Sequence, residues 1–267
     1  MADIAAELRK IPPVTRFLLF SSAGVTLPAI LGIVSPYRLF FASRLAFGNL
    51  EVWRLFTSFF ISSMDINYVF ELAMLYRNAN GLELQFYERR SSDFCWQLVL
   101  ASIPIVLLNR PLESLSHFRS LLHALTYLSC ALAPPGALTS IFGLVSIPTA
   151  YYPYAFLGLD LLMGGRGAAV RGVAGMVVGH LWWWLVWGGG LGGGSGGVGG
   201  RETGVLGEVG RAPGWLRTWF GERAGEFVGS RGAGGVQAFA PRPRAGEGSG
   251  AGAATGYRWG SGQRLGS

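Results

Sequence analysis

Chemistry needs nucleophiles, bases or metal ligands at workable spacings, and this chain offers few. Its 267 residues hold three histidines (His117, His123, His180) and two cysteines (Cys95, Cys130). These share no spacing that would close a tetrahedral metal site, so neither metal nor cofactor is expected. Both cysteines sit in apolar runs, the setting of packed thiols rather than of a disulfide. The glycines of the C-terminal region lack the strand and helix context of a phosphate-binding loop. The one literal GxSG, Gly193-Gly194-Ser195-Gly196, lies in that low-complexity region and reads as an accident of composition. More telling are acids inside apolar segments, since a carboxylate in a membrane is costly and usually faces protein or water. Asp65 stands in a polar run with Thr57, Ser58, Ser62, Ser63 and Asn67, and Asp160 is a second case. Ser58, Ser62, Asp65 and Asn67 are the candidates for a hydrophilic groove. The alternative is a helix hydrogen-bonded to its neighbours, with Asp65 near an interface.

The elements that must position these residues follow from composition. Half the chain is hydrophobic and 14% is charged, where soluble domains carry about a quarter. A window of about 19 residues yields six candidate spans, over 17–34, 55–76, 94–108, 118–132, 141–163 and 170–187. Several fall short of the ~20 residues a bilayer core requires, which local thinning of the bilayer would accommodate. Arg9, Lys10 and Arg16 precede the first span, Arg77, Arg89 and Arg90 follow the second, and the C-terminal region is basic. With six spans these lie on one side, which places both termini in the cytosol. The boundary falls near Gly188. Residues 188–267 hold 28 of the 41 glycines, with nine arginines against five glutamates. Such sequence has little to bury and is expected to be disordered. Within it, Trp215, Leu216, Trp219 and Phe220 are spaced for one face of a short interfacial helix over 213–222. The expected fold is therefore an all-α membrane bundle of six helices (1–187) with a glycine-rich tail (188–267).

In the sixth span, Gly175 and Gly179 form a GxxxG pair that lets a neighbouring helix approach closely. His180 follows directly. Trp182, Trp183, Trp184 and Trp187 mark where the helix leaves the membrane.

Six spans with GxxxG in the last resemble the rhomboid intramembrane proteases. Those pair a serine, in GxSG on span 4, with a histidine one turn before the GxxxG. Here the fourth span has no GxSG, and Gly172 occupies the histidine position. The chain resembles more closely the Derlin family of rhomboid-like pseudoproteases. The matching stretches are Pro12-Pro13-Val14-Thr15-Arg16, Gly32-Ile33-Val34-Ser35-Pro36-Tyr37, Glu51 to Phe60 with Trp53-Arg54, Leu75-Tyr76-Arg77, Leu82-Glu83, Phe142-Gly143-Leu144, Tyr152-Pro153-Tyr154, and Gly175 to His180. At the C-terminus, Trp259-Gly260-Ser261-Gly262-Gln263-Arg264-Leu265-Gly266 resembles an SHP box, which docks on a hexameric AAA+ unfoldase of the valosin-containing protein type. Trp259 and Leu265 would be its apolar anchors, while Gly260, Gly262 and Gly266 let the backbone lie close to the partner.

The resemblance implies a non-enzyme of the endoplasmic reticulum membrane. It implies a part in the degradation of misfolded proteins, which pass to the cytosol through a complex with a ubiquitin ligase and are extracted by the AAA+ ATPase. Trp53 and Arg54 would lie on a luminal loop at the membrane surface. The implied partners are the ATPase, the ligase complex, misfolded clients and lipid, with no nucleic acid. Two other readings stay open: an active intramembrane serine protease with a differently placed dyad, and a membrane adaptor that only recruits the ATPase.

Overall fold

The computed structural model describes residues 7, 8, 10–141, 145–188 and 204–222. Helix α1 (Pro13–Ile30) has proline in its first turn, where a missing N–H leaves no bond unmade. The next N–H groups need acceptors, and Glu83 supplies them. Val14 N and Thr15 N donate to its carboxylate at 3.1 and 2.8 Å, and the Thr15 hydroxyl adds a third bond at 2.8 Å. Glu83 belongs to the last turns of α4 (Asn67–Gln85), so the pair fixes α1 antiparallel to α4.

Between them lie α2 (Ser43–Gly48) and α3 (Trp53–Ser58), each under two turns. Helix α5 (Ser91–Asn109) and α6 (Phe118–Ala131) follow. A two-stranded antiparallel hairpin, β1 (Leu138–Ile141) and β2 (Val145–Pro148), pairs Leu138 with Pro148 and Thr139 with Ile147. Helix α7 (Tyr152–Trp187) completes the bundle, and α8 (Gly214–Trp219) lies beyond it. Among the described residues, three stretches are long and apolar enough to cross a membrane: Pro13–Ile30, Ser91–Asn109 and Thr149–Trp187.

Helix α7 is two helices. Gly165 takes φ 69° and ψ −171°, a conformation essentially restricted to glycine, and the chain reverses there. Leu157 Cδ1 comes within 2.8 Å of where a Cβ on Gly172 would sit. In an unbroken helix those residues would be about 22 Å apart along the axis. The expected fifth and sixth spans thus form a tight helical hairpin. Helix α6 is the centre of the fold. Leu122, Ala124, Leu125 and Leu128 are fully buried, and both halves of α7 pack on it. A Cβ on Gly175 would fall 2.1 Å from the Ser120 carbonyl oxygen, and one on Gly179 2.8 Å from that of Ala124. Only glycine allows the helix backbones to meet this closely.

Three expectations change. The second span does not run over 55–76. Helix α3 stops at Ser58, residues 59–66 are not α-helical, and α4 begins at Asn67. Polar side chains on either side of the break bond to backbone. Thr57 Oγ1 donates to Leu39 O, Ser58 Oγ to Leu55 O, and Asp65 Oδ1 accepts the Asn67 N–H. The fifth span does not begin at 141, because Leu138–Ile141 and Val145–Pro148 are committed to strands and proline enters the first turn of α7. Finally, residues 204–222 are ordered against the bundle. Gly204 N and Leu206 N donate to Val186 O and Leu185 O, and Trp96 Nε1 donates to Val209 O. The short helix covers Gly214–Trp219 rather than 213–222. Leu216 is buried, while Trp215 and Trp219 face outward. Composition concealed this because much of the docking uses backbone groups, which glycine has as fully as any residue.

Candidate functional site

A charge network lies at the end of the bundle where α4 and α6 begin and α7 turns. Arg119 and His123 are four residues apart, on one face of α6. Asp160 sits between them: Arg119 Nη1 donates to its Oδ1 at 3.0 Å, and His123 Nε2 pairs with its Oδ2 at 2.7 Å. Arg119 Nη2 also donates to Glu71 Oε1. The other Glu71 oxygen accepts the hydroxyls of Ser62 and Ser63, the latter at 2.7 Å. Asp160 and Glu71 are each less than a tenth exposed. Carboxylates so placed persist only with partners, and each has both oxygens bonded. The His123 ring stacks on Phe156 at 4.5 Å, and its Nδ1 has no partner among the described residues. Nε2 therefore carries the proton given to Asp160.

Beside the network opens a cavity of about 340 Å³. Its walls are Ser62, Glu71, Glu113, Ser116, Arg119 and Arg171, with Leu115 and Phe118. This is a polar, charged chamber at a helix-bundle end, suited to holding or passing polar groups. It contains no serine aimed at a histidine.

The position from which a rhomboid-type histidine would act is Gly172, and it is filled from across the interface. A Cβ on Gly172 would lie 2.9 Å from His123 Nε2. Ser120 on the same stretch of α6 donates to Arg171 O at 2.9 Å and pairs with Asn109. One serine and one histidine do touch: Ser58 Oγ and His117 Nδ1 are 3.0 Å apart. The Ser58 hydroxyl proton goes to Leu55 O at 2.8 Å, so Oγ receives a hydrogen bond from the ring and is not deprotonated by it. Both residues are wholly buried. His117 N also donates to Ser58 O at 2.8 Å. This pair staples α3 to the start of α6. Burial between Phe41 and Phe59 pushes the His117 pKa down to about 4.

The residues singled out from sequence disperse. Ser58 joins His117, Ser62 joins Glu71 at the cavity, and Asp65 and Asn67 bond each other in the open. They share no groove, because the helix that would have aligned them is broken. Trp53 is 56% exposed, but Arg54 is 8% exposed. Arg54 bonds Glu51 and donates to Tyr37 O at 2.7 Å and Phe40 O at 3.1 Å. It shapes the loop from within instead of reaching for lipid headgroups. His180 is not in the glycine interface: it faces outward and pairs with Tyr127 OH at 2.7 Å. Phe142-Gly143-Leu144, Ser195 and the SHP-like Trp259 to Gly266 lie outside the described residues. Sequence reading missed Glu71 and Arg119. Glu71 lies one helical turn past the polar run, and Arg119 stands four residues before His123, with no local pattern to single either out.

The matching stretches of the sequence fall on this framework. Pro13-Val14-Thr15 and Glu83 make the α1–α4 contact, and Gly175 to Gly179 makes the α6–α7 contact. A family model described as the Der1-like family matches residues 11–195.

The chain belongs to the Der1-like family.

Similar proteins include Derlin-1 of Arabidopsis thaliana, 30% identical over 178 residues, with 66% of each chain covered. Derlin-1 of Oryza sativa subsp. japonica is 28% identical over 187 residues, covering 69% of this chain and 76% of that protein. Derlin-2.1 of Zea mays is 29% identical over 197 residues, covering 69% and 78%. Family membership and the apolar helices together make this Der1-like chain a multi-pass membrane protein, mostly helical and rhomboid-like in fold.

Proposed function

We propose that this Der1-like protein is a non-catalytic component of endoplasmic-reticulum-associated degradation. It sits in the endoplasmic reticulum membrane with both termini in the cytosol. It helps misfolded proteins pass to the cytosol beside a ubiquitin-ligase complex. It recruits an AAA+ ATPase of the valosin-containing protein type through Trp259 to Gly266. The observation that carries this reading is Gly172 packed on His123, with Nε2 of that ring committed to Asp160. A glycine where a base is needed cannot activate a serine. What stands there instead is a network of paired charges beside a polar cavity.

Bundle dimensions support a conduit role. Helix α6 has 14 residues, about 21 Å of rise, against a hydrocarbon core of ~30 Å. That short helix lies at the buried centre of the bundle, so the path a polar client would cross within the protein is shorter than the bilayer core. The cavity then offers polar groups at the luminal end of that path, and the work of extraction is done by the ATPase.

The test is a degradation assay on a misfolded luminal reporter, paired with affinity purification. Deleting 258–267 should abolish recovery of the ATPase and slow reporter loss. Replacing Trp53 and Arg54 should slow reporter loss while ATPase recovery stays unchanged. If the second variant degrades the reporter normally, the conduit role is wrong and only recruitment remains. Labelling by a serine-directed activity probe would show the chain to be a protease.

A further inference from the structure

Two charged side chains on the cavity wall are left over once the network is accounted for. Arg171 comes from the second half of α7, and Glu113 from the loop joining α5 to α6. Among the described residues, neither side chain is held by an ion pair or a hydrogen bond. For Arg171 the reason is geometric. Its charged neighbours are Arg119 and Asp160. One repels it, and both oxygens of the other are already taken by Arg119 and His123. Glu113 is held on the wall by backbone in the left-handed region, φ 48°, which a non-glycine residue adopts only under constraint.

The rest of the polar wall is spent. Glu71 and Arg119 are paired, Ser62 donates to Glu71, and Ser116 donates to Ile61 O at 2.6 Å. The cavity therefore presents one free cation and one free anion, with balanced charge. An anionic ligand would meet Glu113, and a cationic one would meet Arg171. A ligand carrying both charges can meet both residues on the one wall. The cavity stands at an end of the bundle, hence at a membrane surface, where such zwitterions are concentrated as phospholipid headgroups. Leu115 on the same wall is 55% exposed and suits the apolar side of a lipid.

We propose that this cavity binds the headgroup of a zwitterionic phospholipid, with its phosphate on Arg171 and its ammonium on Glu113. Guanidinium suits phosphate because its planar fork offers two parallel donors. The site is independent of any role in degradation and requires only that the bundle lie in a membrane.

The full-length protein in detergent micelles would be titrated calorimetrically with glycerophosphoethanolamine, glycerophosphoglycerol and inorganic phosphate. The expected result is saturable binding of the first, at least tenfold tighter than of the other two. R171Q should weaken it tenfold or more, and R171K should recover part of the loss. E113Q should weaken glycerophosphoethanolamine tenfold and leave inorganic phosphate unchanged. Thermal unfolding identifies any variant that fails to fold, and R171K then stands in for R171Q. Equal binding of phosphate and glycerophosphoethanolamine would mark a simple anion site and overturn the proposal. So would no saturable binding, or binding indifferent to Arg171. Native mass spectrometry from nanodiscs of equal parts phosphatidylethanolamine and phosphatidylglycerol separates lipid from free phosphate. Retained phosphatidylethanolamine, lost in R171Q, supports the site. Preferential retention of phosphatidylglycerol, or of neither, refutes it.

Discussion

Thr15 and Glu83 are 68 residues apart in sequence and meet through two hydrogen bonds, from the Thr15 backbone and hydroxyl to one carboxylate oxygen at 2.8 Å. The carboxylate caps the start of α1, where free N–H groups and the helix dipole favour negative charge. Glu83 is 2% exposed, so no water can replace it. Glu83→Gln keeps the shape and removes the charge, and should cost about 2–3 kcal/mol. Thr15→Val removes one bond, about 1 kcal/mol. Because both changes act on one oxygen, the double variant should lose less than the sum. Unfolding in mixed micelles measures all three, and strictly additive losses would show that the two residues do not act on each other.

The α6–α7 contact makes a sharper case. Gly175→Ala sets a methyl 2.1 Å from the Ser120 carbonyl oxygen, so backbone must move. The expected loss is at least the 1–3 kcal/mol typical of overpacking. Gly158, on the first half of α7, has nothing within 4 Å of its missing Cβ. Gly158→Ala should be neutral or stabilising by up to about 1 kcal/mol, since alanine is the better helix former. Equal effects at both positions, read as shifts in Tm, would refute the close approach.

Legibility differed by the kind of interaction. Apolar length located α5 and α6 to within a few residues, because hydropathy is a property of the segment itself. The GxxxG pair was legible because small residues matter only where backbones meet. The network was not. Glu71, Arg119 and Asp160 are 48 and 41 residues apart along the chain, and no local pattern announces that three helices bring them together. The break after Ser58 was missed for a related reason. A polar run inside a hydrophobic window reads equally as a polar helix face or as no helix, and the bonds that decide it, Thr57 to Leu39 O and Asn67 N to Asp65, show only in the structure.

His117 gives a pH dependence with a definite sign. Its pKa is lowered by burial to about 4, against an ordinary value of about 6.5. Above pH ~6.5 folded and unfolded chains both keep the ring neutral, and its contribution is complete. Between there and about 4 the unfolded chain binds a proton that the folded chain refuses. Stability then falls as pH drops, by up to about 1.4 kcal/mol per unit. His117→Gln can still donate to Ser58 but cannot titrate. Its Tm should fall less steeply than that of the wild type between pH 6.5 and 4.5. Parallel curves would place the buried titrating group elsewhere.

Residues 204–222 form a strap across the ends of α5 and α7, and Asp93 is its main hold. Asp93 accepts the Ala212 N–H at 2.7 Å and Arg217 Nη2 at 3.2 Å. Ser92 N donates to Glu222 at 3.0 Å, and the Ser92 hydroxyl donates to the same carboxylate. Gln97 Nε2 adds a bond to Gly210 O at 3.1 Å. The strap buries little besides Ala212 and Leu216, so these polar bonds hold it. Asp93→Asn weakens two of them and removes the acid from the first turn of α5. A loss of about 1.4 kcal/mol would raise the undocked fraction tenfold. Cleavage at Arg211 and Arg217 by a trace of trypsin reports that fraction when docking is fast relative to cleavage. Asp93→Asn should therefore speed cleavage about tenfold, and Ser92→Ala by a smaller factor. Cleavage as fast in the wild type as in Asp93→Asn would mean that the strap is not docked and that the chain leaves the bundle at Gly188 instead.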